Sequence, residues 1–113
     1  MKNRQTARHQ GRIILAFGEV TGHCHEVLLA DTEAVPDESQ AMFFTHEDGS
    51  RELVLLAPCV LRHEEHGRIA LDPARPTQVR QGDVLLQPTG QGTWRAIQQQ
   101  EWTGPDAWRA VAD

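Results

Sequence analysis

The chain has 113 residues, a formal net charge of -5 and 39% apolar residues, with three Phe, three Trp and no Tyr. This length fits one domain with a thin core, and the acidic balance argues against a protein that coats nucleic acid. There is no run of about 18 apolar residues, so no membrane span is expected; the apolar run at residues 13–17 is too short for a secretory signal, which points to a cytoplasmic protein.

Residues 1–11 are polar and basic, with Lys2, Arg4 and Arg8 and no apolar periodicity. They are expected to be a flexible basic arm, and residues 12–113 a single β domain. Ile13-Ile14-Leu15-Ala16-Phe17 is a short continuous apolar run before a glycine, the pattern of a buried strand. Gly18 and Gly22 bracket a turn or bulge. A second strand follows over residues 25–30, and an acidic loop with Pro36 over residues 31–40.

The apolar segments 41–45 and 51–57 flank Asp48-Gly49, a strong hairpin signal, because glycine accepts the positive φ that the turn requires. Cys59-Val60-Leu61 runs on into His63, and residues 68–71 form a short strand. Pro73 and Pro76 make a rigid turn. Two short strands are expected around Gln81-Gly82-Asp83, another over 93–102, and a helical turn or edge strand near the C-terminus. About seven short strands at this spacing predict an all-β fold, a small antiparallel β-barrel or sandwich with little helix.

Four of the six histidines fall in two tight pairs, His23-x-His25 and His63-x-x-His66. Side chains at i and i+2 of a strand share a face, so His23 and His25 point one way and Cys24 and Glu26 the other. Neutral imidazoles offer nitrogen lone pairs at a separation that the strand fixes, which suits a divalent transition metal. Four nitrogens close a tetrahedral zinc site and three leave a position open. An oxygen from Glu64 or Glu65 shifts the preference toward iron or manganese, and either carboxylate is a candidate general base beside a Lewis-acidic metal. Cys24 and Cys59 are expected as reduced thiols, and His46 as a solvated hairpin residue.

Gly18, His23, His25 and Glu26 resemble the first motif of the cupin superfamily, in which a glycine precedes a His-x-His pair and a glutamate follows. In that superfamily the gap before the first histidine is longer, and the second motif has Pro-x-Gly and one histidine where this chain has His63 and His66. The resemblance implies a small β-barrel with a metal inside. The phrases Gly-Glu-Val-Thr-Gly-His-x-His and His-x-Glu-His-Gly are also similar to a group of small bacterial and phage proteins. The expected function is therefore metal binding by a histidine-lined site, with metalloenzyme activity on an unspecified substrate. The alternative is a non-enzymatic module that self-associates through open strand edges, its histidines being structural. The thin core favours a homo-oligomer in either case.

Overall fold

Short apolar runs broken by glycine and proline fold into antiparallel strands, with no helix among the described residues. The computed structural model describes residues 4–17, 23–98, 100–102 and 108–110. The strands are β1 (Arg4–Thr6), β2 (Ile13–Phe17), β3 (Cys24–Leu29), β4 (Ala41–His46), β5 (Arg51–Leu55), β6 (Cys59–His63), β7 (Gly67–Leu71), β8 (Val79–Gln81), β9 (Val84–Gly90), β10 (Thr93–Gln98), β11 (Gln100–Trp102) and β12 (Trp108–Ala110). Six form one sheet in the order β1-β4-β5-β10-β9-β8, and four a second in the order β2-β3-β6-β7. β11 and β12 pair with each other.

The all-β expectation holds, but two parts of it are corrected. No closed barrel forms, and the two main sheets hold ten strands rather than about seven. The undercount has a physical origin. β1 is three residues long, too short for an apolar alternation to show. Within the segment expected as an arm, Arg4–Thr6 pairs along β4, with Gln5 opposite Thr45 and every side chain exposed. Backbone pairing at a sheet edge requires no apolar face, so composition gives no sign of it. The expected bulge between Gly18 and Gly22 lies outside the described residues.

Each sheet contributes one apolar face to a shared core. Phe43, Leu53, Leu86 and Trp94 come from the six-stranded sheet, and Ile13, Leu15, Val27 and Leu61 from the four-stranded one. The alternation is clean in β6, where Cys59, Leu61 and His63 are buried and Val60 and Arg62 are less so. The hairpin at Asp48-Gly49 forms as expected, with Gly49 at φ 87°. Its turn closes through the Gly49 N–H to the His46 carbonyl at 2.9 Å, and the Asp48 carboxylate accepts from the Ser50 N–H at 2.9 Å.

A bulge in β2 places Ile14 opposite Glu26 but Ala16 opposite His25, leaving Leu15 as the extra residue. The Leu15 carbonyl then accepts from the Arg51 guanidinium at 2.8 Å. This bond crosses from the second sheet to the first. Burial pulls the Arg51 guanidinium below its ordinary range, and its guanidinium carbon sits 5.5 Å from the centroid of the Phe43 ring.

Trp94 is fully buried near the start of β10, which lies between β5 and β9, and its indole N–H donates to the Thr77 carbonyl at 2.9 Å. Trp94→Ala removes the largest buried side chain and orphans that carbonyl. It is expected to destabilise the fold by about 3–5 kcal/mol, read as a fall in the urea midpoint followed by far-UV circular dichroism.

Candidate functional site

Buried polar side chains are rare in this core and are not scattered. Among the described residues they are His25, Glu26, His63, Gln81 and Asp83. Glu26 stands apart from the others. It lies on the opposite face of β3 from His25 and receives both the Nε and an Nη of Arg12, at 2.9 and 2.6 Å. The other four gather where the ends of β3, β6 and β8 meet.

His25 follows from the phase of β3, in which His25 and Val27 share the inward face. His63 continues the inward register of Cys59 and Leu61. His66 belongs to the β6–β7 turn and is exposed, while His23, just before β3, is partly exposed. The two pairs expected from the sequence therefore come together. The His25 and His63 rings are 4.3 Å apart between centroids, His63 and His66 4.5 Å, His23 and His63 5.6 Å, and His25 and His66 6.0 Å. His25 and His66 are near parallel, 12° apart. Two of these rings are buried and two stand toward the rim, so the cluster is accessible from outside.

The hydrogen bonds set which nitrogen of each ring carries a proton. His63 Nδ1 accepts from the backbone N–H groups of Glu65 and His66, at 3.0 and 3.2 Å. That nitrogen therefore holds a lone pair, and in neutral His63 the proton resides on Nε2. His63 acts as a brace for the turn that presents His66. On the other strand, His25 Nδ1 lies 2.8 Å from Gln81 Oε1, and His25 Nε2 is buried without a hydrogen-bond partner.

Gln81, Gly82 and Asp83 were not singled out as site residues in the sequence. Gln81 ends β8 and Asp83 precedes β9, and both are buried. Gly82 between them has φ 59°. A Cβ there would stand 3.0 Å from His66 Nε2 and 3.2 Å from His25 Cε1. Glycine takes this φ without strain, and a side chain there would press on both imidazoles. The available signal was the Gln-Gly-Asp sequence, two polar residues around a turn glycine between apolar strands. The distance in sequence hid its partner, since Gln81 and His25 are 56 residues apart.

The other candidates take different places. Glu64 is exposed in the turn. Desolvation pushes its carboxyl upward, but the Cys24 N–H, which donates to Oε1 at 3.3 Å, and the neighbouring histidines outweigh this and hold it below the usual range. That lowers its strength as a base. Glu65 Oε1 lies 3.7 Å from His23 Nδ1 at the rim. His46 is not simply solvated, because its Nε2 lies 2.8 Å from Glu52 Oε1. Its neighbours Glu52, Trp94 and Arg95 help line a separate open groove of about 430 Å³. Cys24 and Cys59 are both free thiols; burial raises Cys24 and pushes Cys59 up to about 11. Among the described residues, no three His, Cys, Asp or Glu side chains stand at metal-ligating geometry as they are, and no helix is long and apolar enough to cross a membrane.

A family model for a domain of unknown function, DUF8820, matches residues 1–74, more than half of the chain. The chain belongs to the DUF8820 family. No curated protein and no solved structure matches it. The DUF8820 region holds both histidine pairs and β1 to β7, but the Gln81–Asp83 turn lies beyond it. The fold does not divide there, because β10 sits between β5 and β9 in the same sheet. A DUF8820 chain ending at residue 74 loses Trp94, Leu86 and Val84 from the core. It is expected to show no cooperative thermal transition by circular dichroism, whereas residues 1–113 show one. A cooperative melt of the 1–74 fragment would make residues 1–74 an independent folding unit.

Proposed function

We propose that this protein binds a divalent transition metal at the histidine cluster between β3 and the β6–β7 turn, with zinc, iron and manganese as the candidates. The observation that carries the reading is the convergence of His23, His25, His63 and His66 on one end of the core, with the buried His25 Nε2 left without a hydrogen-bond partner. A buried nitrogen lone pair with no donor costs about 1–3 kcal/mol, and a cation is the group that relieves it. His66 and His23 at the rim supply further nitrogens that solvent and metal can reach. His63 is better suited to hold the turn than to ligate, since its Nδ1 already accepts two backbone N–H groups.

A bound metal would supply Lewis acidity at this rim. Of the two carboxylates expected as bases, Glu65 has its Oε1 3.7 Å from His23 Nδ1 at the rim, and Glu64 Oε1 accepts from the Cys24 N–H at 3.3 Å. The self-associating module remains the alternative. It is supported by the edges β1, β8, β2 and β7, which have no further strand beside them among the described residues.

Untagged protein loaded with zinc is expected to retain close to one equivalent after desalting, measured by plasma mass spectrometry. His25→Ala and His66→Ala should each lower this sharply, and His46→Ala should leave it unchanged, because His46 belongs to the Glu52 pair. Equal metal content in wild type and in the His25→Ala, His66→Ala double variant would discard the reading. Light scattering on the same samples tests self-association; a mass near 12.7 kDa at all micromolar concentrations removes the alternative.

A further inference from the structure

We infer that Asp83 is the oxygen ligand of this site, paired with His25 Nε2, and that Gln81 is the positioning residue that turns that nitrogen toward it. The inference rests on the metal-binding reading above and names the donor set that the reading leaves open.

The chain of reasoning starts at the Gln81 carboxamide. Its Nε2 donates to the Leu61 carbonyl at 2.9 Å and to the Gly67 carbonyl at 3.0 Å. Carbonyl oxygens only accept, so the amide nitrogen has to be the atom facing them, and Oε1 is left facing His25 Nδ1. An amide oxygen also only accepts, so His25 Nδ1 carries a proton. In neutral His25 the lone pair is then on Nε2. The arrangement is that of an outer partner that fixes the tautomer of a metal-binding imidazole.

His25 Nε2 points at Asp83. The separation from Asp83 Oδ1 is 3.3 Å, with both side chains almost wholly buried. The other oxygen, Oδ2, accepts from Gln98 Nε2 at 2.9 Å, which holds the carboxylate in place. A lone pair and a carboxylate oxygen facing each other in a buried site repel, so a positive charge belongs between them. Two kinds fit chemically, a proton and a metal ion, and the 3.3 Å spacing matches two ligands on one ion. A charge-assisted N–H···O bond is about 2.7–2.9 Å long, and the contact does not make a hydrogen bond. Two ligands of a tetrahedral ion with bonds of about 2.0–2.1 Å lie about 3.3–3.4 Å apart.

Gly82 completes the case from the backbone. It joins Gln81 to Asp83, and the absence of a Cβ keeps the space next to His66 Nε2 and His25 Cε1 open. His66 is the rim histidine that packs against this turn, at Gly82. His66 would complete the donor set by moving onto an ion held between His25 and Asp83, with His63 bracing the turn. A mixed nitrogen and oxygen set of three leaves a coordination position for water or a substrate atom.

The test uses the full chain titrated with Zn²⁺ alone and with Co²⁺ alone. Asp83→Asn keeps the shape and the Gln98 contact but removes the charge. It is expected to weaken Zn²⁺ binding by more than about tenfold, the lower bound for loss of even an outer partner. The d–d absorption of the Co²⁺ form should also change. Glu52→Gln, beside His46 and away from the cluster, should bind as wild type does. A second readout needs no variant. In wild-type protein the ¹³Cγ resonance of Asp83 and the ¹⁵Nε2 resonance of His25 should shift together as Zn²⁺ is added. A stationary Asp83 resonance, or wild-type affinity in Asp83→Asn while His25→Ala loses the metal, overturns the assignment of Asp83 and leaves the metal-binding reading standing. Absence of Zn²⁺ binding by wild type removes both.

Discussion

The Gln81 carboxamide holds together the end of the molecule where the histidines meet. Gln81 is carried by β8 of the six-stranded sheet, and all three groups it contacts belong to the other sheet: the Leu61 carbonyl on β6, the Gly67 carbonyl on β7 and His25 on β3. Every hydrogen-bonding position of the amide that faces the interior is used in a direction that only one orientation satisfies. A buried amide with a partner missing costs about 1–3 kcal/mol, so the network also acts as a register lock between the two sheets. Far from it, Trp94, Phe43 and Leu53 join the same sheets by apolar burial, which fixes distance but not orientation. One end of the core specifies chemistry, and the rest supplies the burial that makes a polar end tolerable.

Much of the fold was legible because strand periodicity is local. The apolar run from Ile13 and the glycine turn at Asp48-Gly49 depend on neighbours in sequence, and the strand and turn formed there. The bulge at Leu15 was not legible, because a bulge is a property of the pairing with β3 rather than of either strand alone. The three-residue strand β1 was missed for the related reason that three residues carry less than two periods of alternation.

The site divides in the same way. Histidine spacing announced a cluster, since His63 shares the inward register of Leu61 and His25 that of Val27. Spacing says nothing about protons, however. The ring of His63 is as close to the cluster as any other, yet its Nδ1 is occupied by the N–H groups of its own turn. Its partners are two and three residues away, whereas the partner that decides His25 is 56 residues away. A count of four histidines therefore says nothing of which nitrogens hold lone pairs, nor of the Asp83 carboxylate buried beside His25.

Glu26 shows why the facing of a side chain matters more than its position in a motif. It follows His25 directly and has the residue type that the resemblance to the cupin motif would use. Adjacent strand residues point to opposite faces, so Glu26 is directed away from the cluster and neutralised by two bonds from Arg12. The carboxylate at the cluster comes instead from Asp83, delivered by a glycine turn from the other sheet. Because Gly82 is at the tip of that turn, the Asp83 oxygen and the His25 nitrogen approach from different sheets. Their 3.3 Å separation is then set by how the sheets pack, and any small shift between β3 and β8 alters the site before it alters the core.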